Sequence, residues 1–292
     1  MASISAATME RLAFVRYTYE CGVRHSREPE PANSLGVLLF HDAVDLFLQL
    51  AAEHLNVAKP KGQVYLADYL GLVDAALKPN ASLGGRAAMT RLNSVRTSLK
   101  HNGVRPSPLD VEALRANVTS FFEDNVPLVF GIRVDEISMA LLVTIHEARS
   151  QLEEAERQAT AGNLGEAIDA CAIAFAYVVG AFHRFQRPAY KKPGFGPSAG
   201  SDIYLKGVIE YVAHLAKAVN ELQDRVELLT LGIDPAQMRR FRKLTPHVAF
   251  TMDGTVHLAG IGAKPSPDAT DVRFCYGFVV AAALALQRIG EA

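Results

Sequence analysis

Helical period runs through almost the whole chain, and proline and glycine cut it into segments, so the sequence can fold only as a series of packed helices. A helix is predicted from about Met9 to Val23, and the Pro29 and Pro31 pair makes Arg27 to Asn33 a loop. Ser34 is placed to cap a second helix. There Phe40, Val44, Phe47, Leu48 and Ala51 recur every three or four residues to about Leu55. The pattern returns over Val64 to Leu77 and again over Arg86 to His101, with Ala88, Leu92, Val95 and Leu99 on one stripe. Gly103 and Pro106 end that helix, and Ser107-Pro108 opens another to about Asp124 by pairing a hydroxyl cap with a first-turn proline. Asn125 to Val134 carries Pro and Gly and loses the period, so it is the expected domain boundary.

Beyond it a helix is expected from Asp135 to about Ala159, a turn at Gly162-Asn163, and a helix from Leu164 to about Phe185. The string AGNLGEAI at that turn resembles one hairpin of a tetratricopeptide repeat, but no second copy follows. Pro188 to Ser201 reads as a loop, about Asp202 to Leu229 as a long helix, and Asp234 to Lys243 as a short one. His247 to His257 alternates around Asp253-Gly254, a strong hairpin signal, and Asp271 to Arg288 closes the chain as an apolar helix. The fold class expected is all-α: residues 1–130 form one helical domain and 131–292 a second, mainly helical domain with one hairpin.

Charge excludes some classes. Among 292 residues, 30 Lys and Arg face 31 Asp and Glu, so the molecule has no overall basicity of the kind that drives histone-like binding. Cys21, Cys171 and Cys275 are widely spaced and form no C-x-x-C pair, which argues against a disulfide framework or thiolate metal site. The start, MASISAATMERLAFVRY, lacks the order of a signal peptide, so a cytoplasmic location is expected. The most apolar stretches, Ala170 to Phe182 and Phe278 to Leu286, are shorter than the roughly 20 residues that span a bilayer, so no membrane partner is expected. Serine-hydrolase, P-loop and dinucleotide signatures are absent, and no cofactor or metal is expected.

Locally the charge is segregated. Ala75 to Leu109 holds six Lys and Arg and no carboxylate, whereas Asp110 to Asp169 holds twelve acids and four bases. A basic run of this kind is either a solvated face balanced by acids elsewhere or a phosphate-backbone site. The clusters Arg184/Arg187/Lys191/Lys192 and Arg239/Arg240/Arg242/Lys243 could extend it.

Within the run, Asn93, Arg96 and Lys100 are three and four residues apart and share a helical stripe, with Arg91 one turn before Val95. His101 follows Arg96 by five residues, about 140° round a regular helix, so the two converge only if the helix ends near His101. Arginine and histidine together form a minimal kit for cleaving RNA without metal. Histidine moves protons near neutral pH, and the guanidinium stabilises charge on the transition state.

Arg96-TSLK-His101, set in the string LNxxRxxLKHNGxxP at a helix end, resembles the HEPN (higher eukaryotes and prokaryotes nucleotide-binding) domains. Their hallmark is Arg and His separated by four to six residues in a small all-α bundle. The resemblance covers roughly Phe14 to Phe130. It implies a metal-independent endoribonuclease with catalytic Arg96 and His101 and 2′,3′-cyclic phosphate products. It also implies a homodimer that brings both protomers' Arg and His to one cleft. An RNA substrate, a bacterial defence or toxin-like setting, and an antitoxin or defence-system partner protein belong to the same expectation. Asn93, Lys100 and Arg91 form the expected phosphate-binding set. At the position after the motif arginine, where active members commonly carry Asn, Asp or His, this chain has Thr97. The alternative is a non-catalytic module that binds RNA, a nucleotide or a protein. Arg240 and Arg242 also match the spacing with His247, but Pro246 intervenes and His247 opens a strand, so these matches read as chance.

His41 and Asp42, with Asp45 one turn on, read first as helix-start dipole partners and second as the wall of a cleft facing the Arg/His helix. His54, His146, His183, His214 and His257 are scattered and read as surface or satisfied core. Gly194 to Gly200 reads as a loop.

Overall fold

The computed structural model describes residues 4–58, 62, 64–79, 81–186, 206–230, 232–251, 255–259 and 266–290. Among these the fold is all-α, and the only strands form one two-stranded hairpin. The chain divides into two compact units, Met1–Leu142 and Val143–Ala292.

The first unit contains α1 (Ala6–His25), α2 (Ser34–His54), α3 (Leu66–Ala76), α4 (Arg86–Asn102) and α5 (Pro108–Phe130). At its centre α2 buries Val37, Phe40, Val44, Phe47, Leu48 and Ala51, as the period requires. Phe47 packs edge-on against Phe121, Phe122 and Phe130 of α5 at centroid distances of 5.6 to 6.0 Å. Helices α1 and α2 cross closely. A Cβ at Gly36 would lie 2.9 Å from the carbonyl oxygen of Gly22 and from the backbone nitrogen of Ser26, so only glycine fits there.

Three local expectations need correction. Ser34 does not cap α2: Asn33 precedes the helix in αR geometry without a side-chain cap bond, and Ser34 is already helical. Nor does the period fail at Asn125. Helix α5 runs through Pro127 to Phe130 and stops at Gly131, whose φ of +72° makes the left-handed cap. An interior proline costs about 3 kcal/mol. Burial of Val126, Val129 and Phe130 beside it offsets that loss. The helix expected from Asp135 is instead two 3-10 turns, Val134–Glu136 and Met139–Leu142, followed by α6 from His146. Arg16 of α1 donates to the Ile137 carbonyl at 2.6 Å and holds the first of these turns against the unit.

The second unit contains α6 (His146–Thr160), α7 (Leu164–Gln186), α8 (Lys206–Thr230), α9 (Pro235–Leu244), strands β1 (His247–Phe250) and β2 (Val256–Ala259), and α10 (Ala269–Gly290). Helices α6 and α7 form a hairpin turned at Gly162, where φ is +83°. Phe175 of α7, Phe241 of α9 and Phe278 of α10 pack together at centroid distances of 4.6 to 5.3 Å. The strands pair antiparallel as the expected hairpin, with His247 opposite Ala259 and Phe250 opposite Val256, and the Thr251 N–H donates to the Thr255 carbonyl at 3.0 Å; Asp253 and Gly254 lie outside the described residues.

Three helices, Ser34–His54, Leu164–Phe182 and Ala269–Arg288, are long and apolar enough to cross a membrane. The helices extend past the 13- and 9-residue apolar cores read from sequence because occasional polar residues do not interrupt them.

Candidate functional site

The basic helix α4 is anchored at its start by buried polar contacts. Asn125 of α5, fully buried, accepts from the Gly84 N–H at 2.9 Å and donates to the Gly84 and Phe121 carbonyls at 3.2 and 2.7 Å. The Asp74 carboxylate accepts from the Leu83 N–H at 2.7 Å and pairs with Arg86, which also donates to the Leu70 carbonyl at 3.0 Å. Met89 and Leu92 bury the inner face. At the far end Gly103, at φ +66°, lets the Val104 N–H reach back to the Ser98 carbonyl at 3.2 Å.

That cap lies beyond His101. Helix α4 therefore ends at Asn102 with His101 in its last turn, as the Gly103 and Pro106 stop implies, and His101 keeps its helical bearing, about 140° from Arg96. Arg96 is partly buried, whereas Lys100 and His101 are exposed. None of the three has a hydrogen-bond or ion-pair partner among the described residues. Arg91 differs, because its guanidinium pairs with Asp110 at 2.6 Å. The Ser107 hydroxyl and then Arg91 hold the Asp110 carboxyl below its ordinary range.

The basic run is thus divided by tertiary contacts. Arg86 and Arg91 are matched by Asp74 and Asp110, the acids just outside the run. Lys78, Arg96, Lys100 and Arg105 have no carboxylate partner among the described residues.

Asn93 faces inward, and His41 Nε2 lies 3.1 Å from its Oδ1. Because Oδ1 only accepts, Nε2 carries the proton. His41 is 8% exposed, and its Nδ1 is buried without a hydrogen-bond partner, 3.6 Å from an Asp42 carboxylate oxygen. The helix-start reading of His41 is corrected, since α2 begins at Ser34, two turns earlier. Asp42 is exposed, and Asp45 accepts from Gln49 at 2.9 Å. His41 was readable as an inward residue because it follows Val37 and Phe40 on the apolar side of α2. Its partner 52 residues away was not.

The other candidates have local partners of their own or lie outside the described residues. Arg240 donates to Asp271 at 3.4 Å and lies 4.1 Å from the Phe274 ring centroid, and His247 lies in β1. The Arg184 side chain, Arg187, Lys191, Lys192 and the Gly194 to Gly200 stretch lie outside the described residues. His54 packs on Phe130 at 4.8 Å. No group of three or more His, Cys, Asp or Glu able to hold a metal occurs among the described residues.

No family model, curated protein or solved structure matches the chain.

Proposed function

We propose that the α4 surface is the site of a metal-independent endoribonuclease of the HEPN type, in a bacterial defence or toxin-like system. The observation that carries this reading is that Arg96, Lys100 and His101 have no partner among the described residues while the neighbouring Arg86 and Arg91 are neutralised. An arginine left without a carboxylate is available to a phosphate. In the reaction, the ribose 2′-OH attacks the adjacent phosphorus and the 5′-oxygen leaves, giving a 2′,3′-cyclic phosphate. His101 of one copy takes the 2′-OH proton, His101 of the second copy gives one to the leaving 5′-oxygen, and Arg96 stabilises the charge on the pentacoordinate phosphorus. Lys100 positions the phosphate, with Arg91 at the margin, while Asn93, expected from sequence in the same set, is turned inward to His41 and braces the helix that carries them. The 140° between Arg96 and His101 on one helix suits a cleft that takes these residues from two copies.

A second reading is a non-catalytic RNA-, nucleotide- or protein-binding scaffold. It is favoured by Thr97 after the motif arginine and by the lack of a described acceptor that would orient the His101 ring.

The test is incubation of wild type and His101→Ala with total cellular RNA in EDTA, reading fragment ends. The enzyme reading expects cyclic phosphate ends from wild type alone. RNA binding without cleavage by either protein selects the second reading, and neither binding nor cleavage refutes both.

A further inference from the structure

Helix α8 is exposed at most of its described side chains. Of its described side chains, Ala216 is buried, Val219 is partly buried, and the rest are exposed. An exposed helix ordinarily presents polar residues all round, but α8 carries a repeat of seven. Val212, Val219 and Val226 fall at one heptad position, and Val208, Leu215, Leu222 and Leu229 fall at the other. Val212, Leu215, Leu222, Val226 and Leu229 are between 42 and 58% exposed.

We propose that α8 pairs with α8 of a second copy as a parallel, in-register two-stranded coiled coil. The β-branched residue at the first heptad position and leucine at the second are the combination that favours two parallel strands. The sequence positions flanking the seam between 211 and 230 are Tyr211, Ala216, Ala218, Gln223, Arg225 and Thr230, so a second copy meets almost no like charge across it. At 1.5 Å per residue the helix is about 37 Å long, and pairing the half-exposed seams removes on the order of 1,000 Å² from water, the threshold for a specific interface. Over α8 the four acidic residues Glu210, Glu221, Asp224 and Glu227 outnumber the three basic ones, Lys206, Lys217 and Arg225, so the helix lacks the basic excess that an anionic lipid surface would need. This inference does not depend on the RNA chemistry assigned to α4.

The test is light scattering of the full chain beside Leu222→Glu at micromolar concentration. Wild type is expected at about twice 31.6 kDa, and the variant is expected to dissociate with a Kd raised about a hundredfold. A monomeric wild type, or a variant as dimeric as wild type, overturns the proposal. As a second arm, Leu229→Cys in a Cys21→Ser background is oxidised and run on a non-reducing gel. A parallel in-register pair cross-links at this position, whereas an antiparallel pair holds the two cysteines about 30 Å apart, so failure to cross-link overturns the parallel register.

Discussion

His41 Nε2 of α2 lies 3.1 Å from Asn93 Oδ1 of α4, which ties the basic helix to the central helix of its unit. The same bond turns Asn93 inward, one turn before Arg96 on the same stripe. In the proposed function His41 is therefore a positioning residue for the α4 surface. His41→Ala is expected to slow RNA cleavage about tenfold while leaving RNA affinity close to wild type, because displaced geometry costs rate before it costs phosphate attraction. His41→Gln, which keeps a donor, is expected to restore part of the rate. Equal losses with Ala and Gln would reduce His41 to a packing residue.

Salt dependence distinguishes the unpartnered cations from the paired ones. Each phosphate contact on single-stranded RNA contributes about 0.7 to the slope of log affinity against log salt. Arg96→Ala with Lys100→Ala is expected to flatten the slope by about 1.4. Arg91→Ala should flatten it less than either single change, since Asp110 already neutralises Arg91. The reverse ranking would remove Arg96 and Lys100 as phosphate contacts.

The Asp110 carboxyl is held below its ordinary value of 3.8, first by the Ser107 hydroxyl and then by Arg91. A depressed folded-state value contributes stability that is present above 3.8 and lost as pH falls through the lower folded value. Ser107→Ala is expected to raise the Asp110 midpoint more than Arg91→Ala does, measured by carboxyl NMR titration. It also removes the α5 N-cap, at a cost of about 1 kcal/mol. A larger rise with Arg91→Ala would reverse the order of the two causes.

Phe47 is fully buried among three rings of α5, so Phe47→Ala should cost about 3 to 5 kcal/mol in urea unfolding. Asn125→Ala should cost about 1 to 3 kcal/mol by leaving the Gly84 N–H without its partner. A loss below about 1 kcal/mol for Phe47→Ala would contradict its central place in the core.

Thiol reactivity checks the second unit. Cys171 and Cys275 are buried, and burial pushes the Cys171 thiol well above its ordinary range, whereas Cys21 is half-buried. Native protein is expected to titrate with one fast thiol, lost in Cys21→Ser, and denatured protein with all three. Fast labelling of Cys171 would show that α7 is open to solvent.

Much of the fold was legible locally. The Ser107-Pro108 start and Gly103 end were readable because caps act through bonds three to six residues long. Pro127 misled because the burial that keeps α5 helical comes from Phe47 on another helix. The turn at Val134–Glu136 misled for a related reason: Arg16, more than 100 residues earlier, holds the Asp135 and Ile137 carbonyls.

Period, caps and composition are short-range properties, and they were enough to set which segments become helices, where the basic run lies, and that Arg96 and Lys100 share a stripe. Which cations keep their charge available was settled only when the helices packed. Arg86 and Arg91 found carboxylates 12 and 19 residues away, and Asn93 found His41 52 residues away. Those pairings depend on how packed helices bring distant side chains together, and no local pattern encodes that distance.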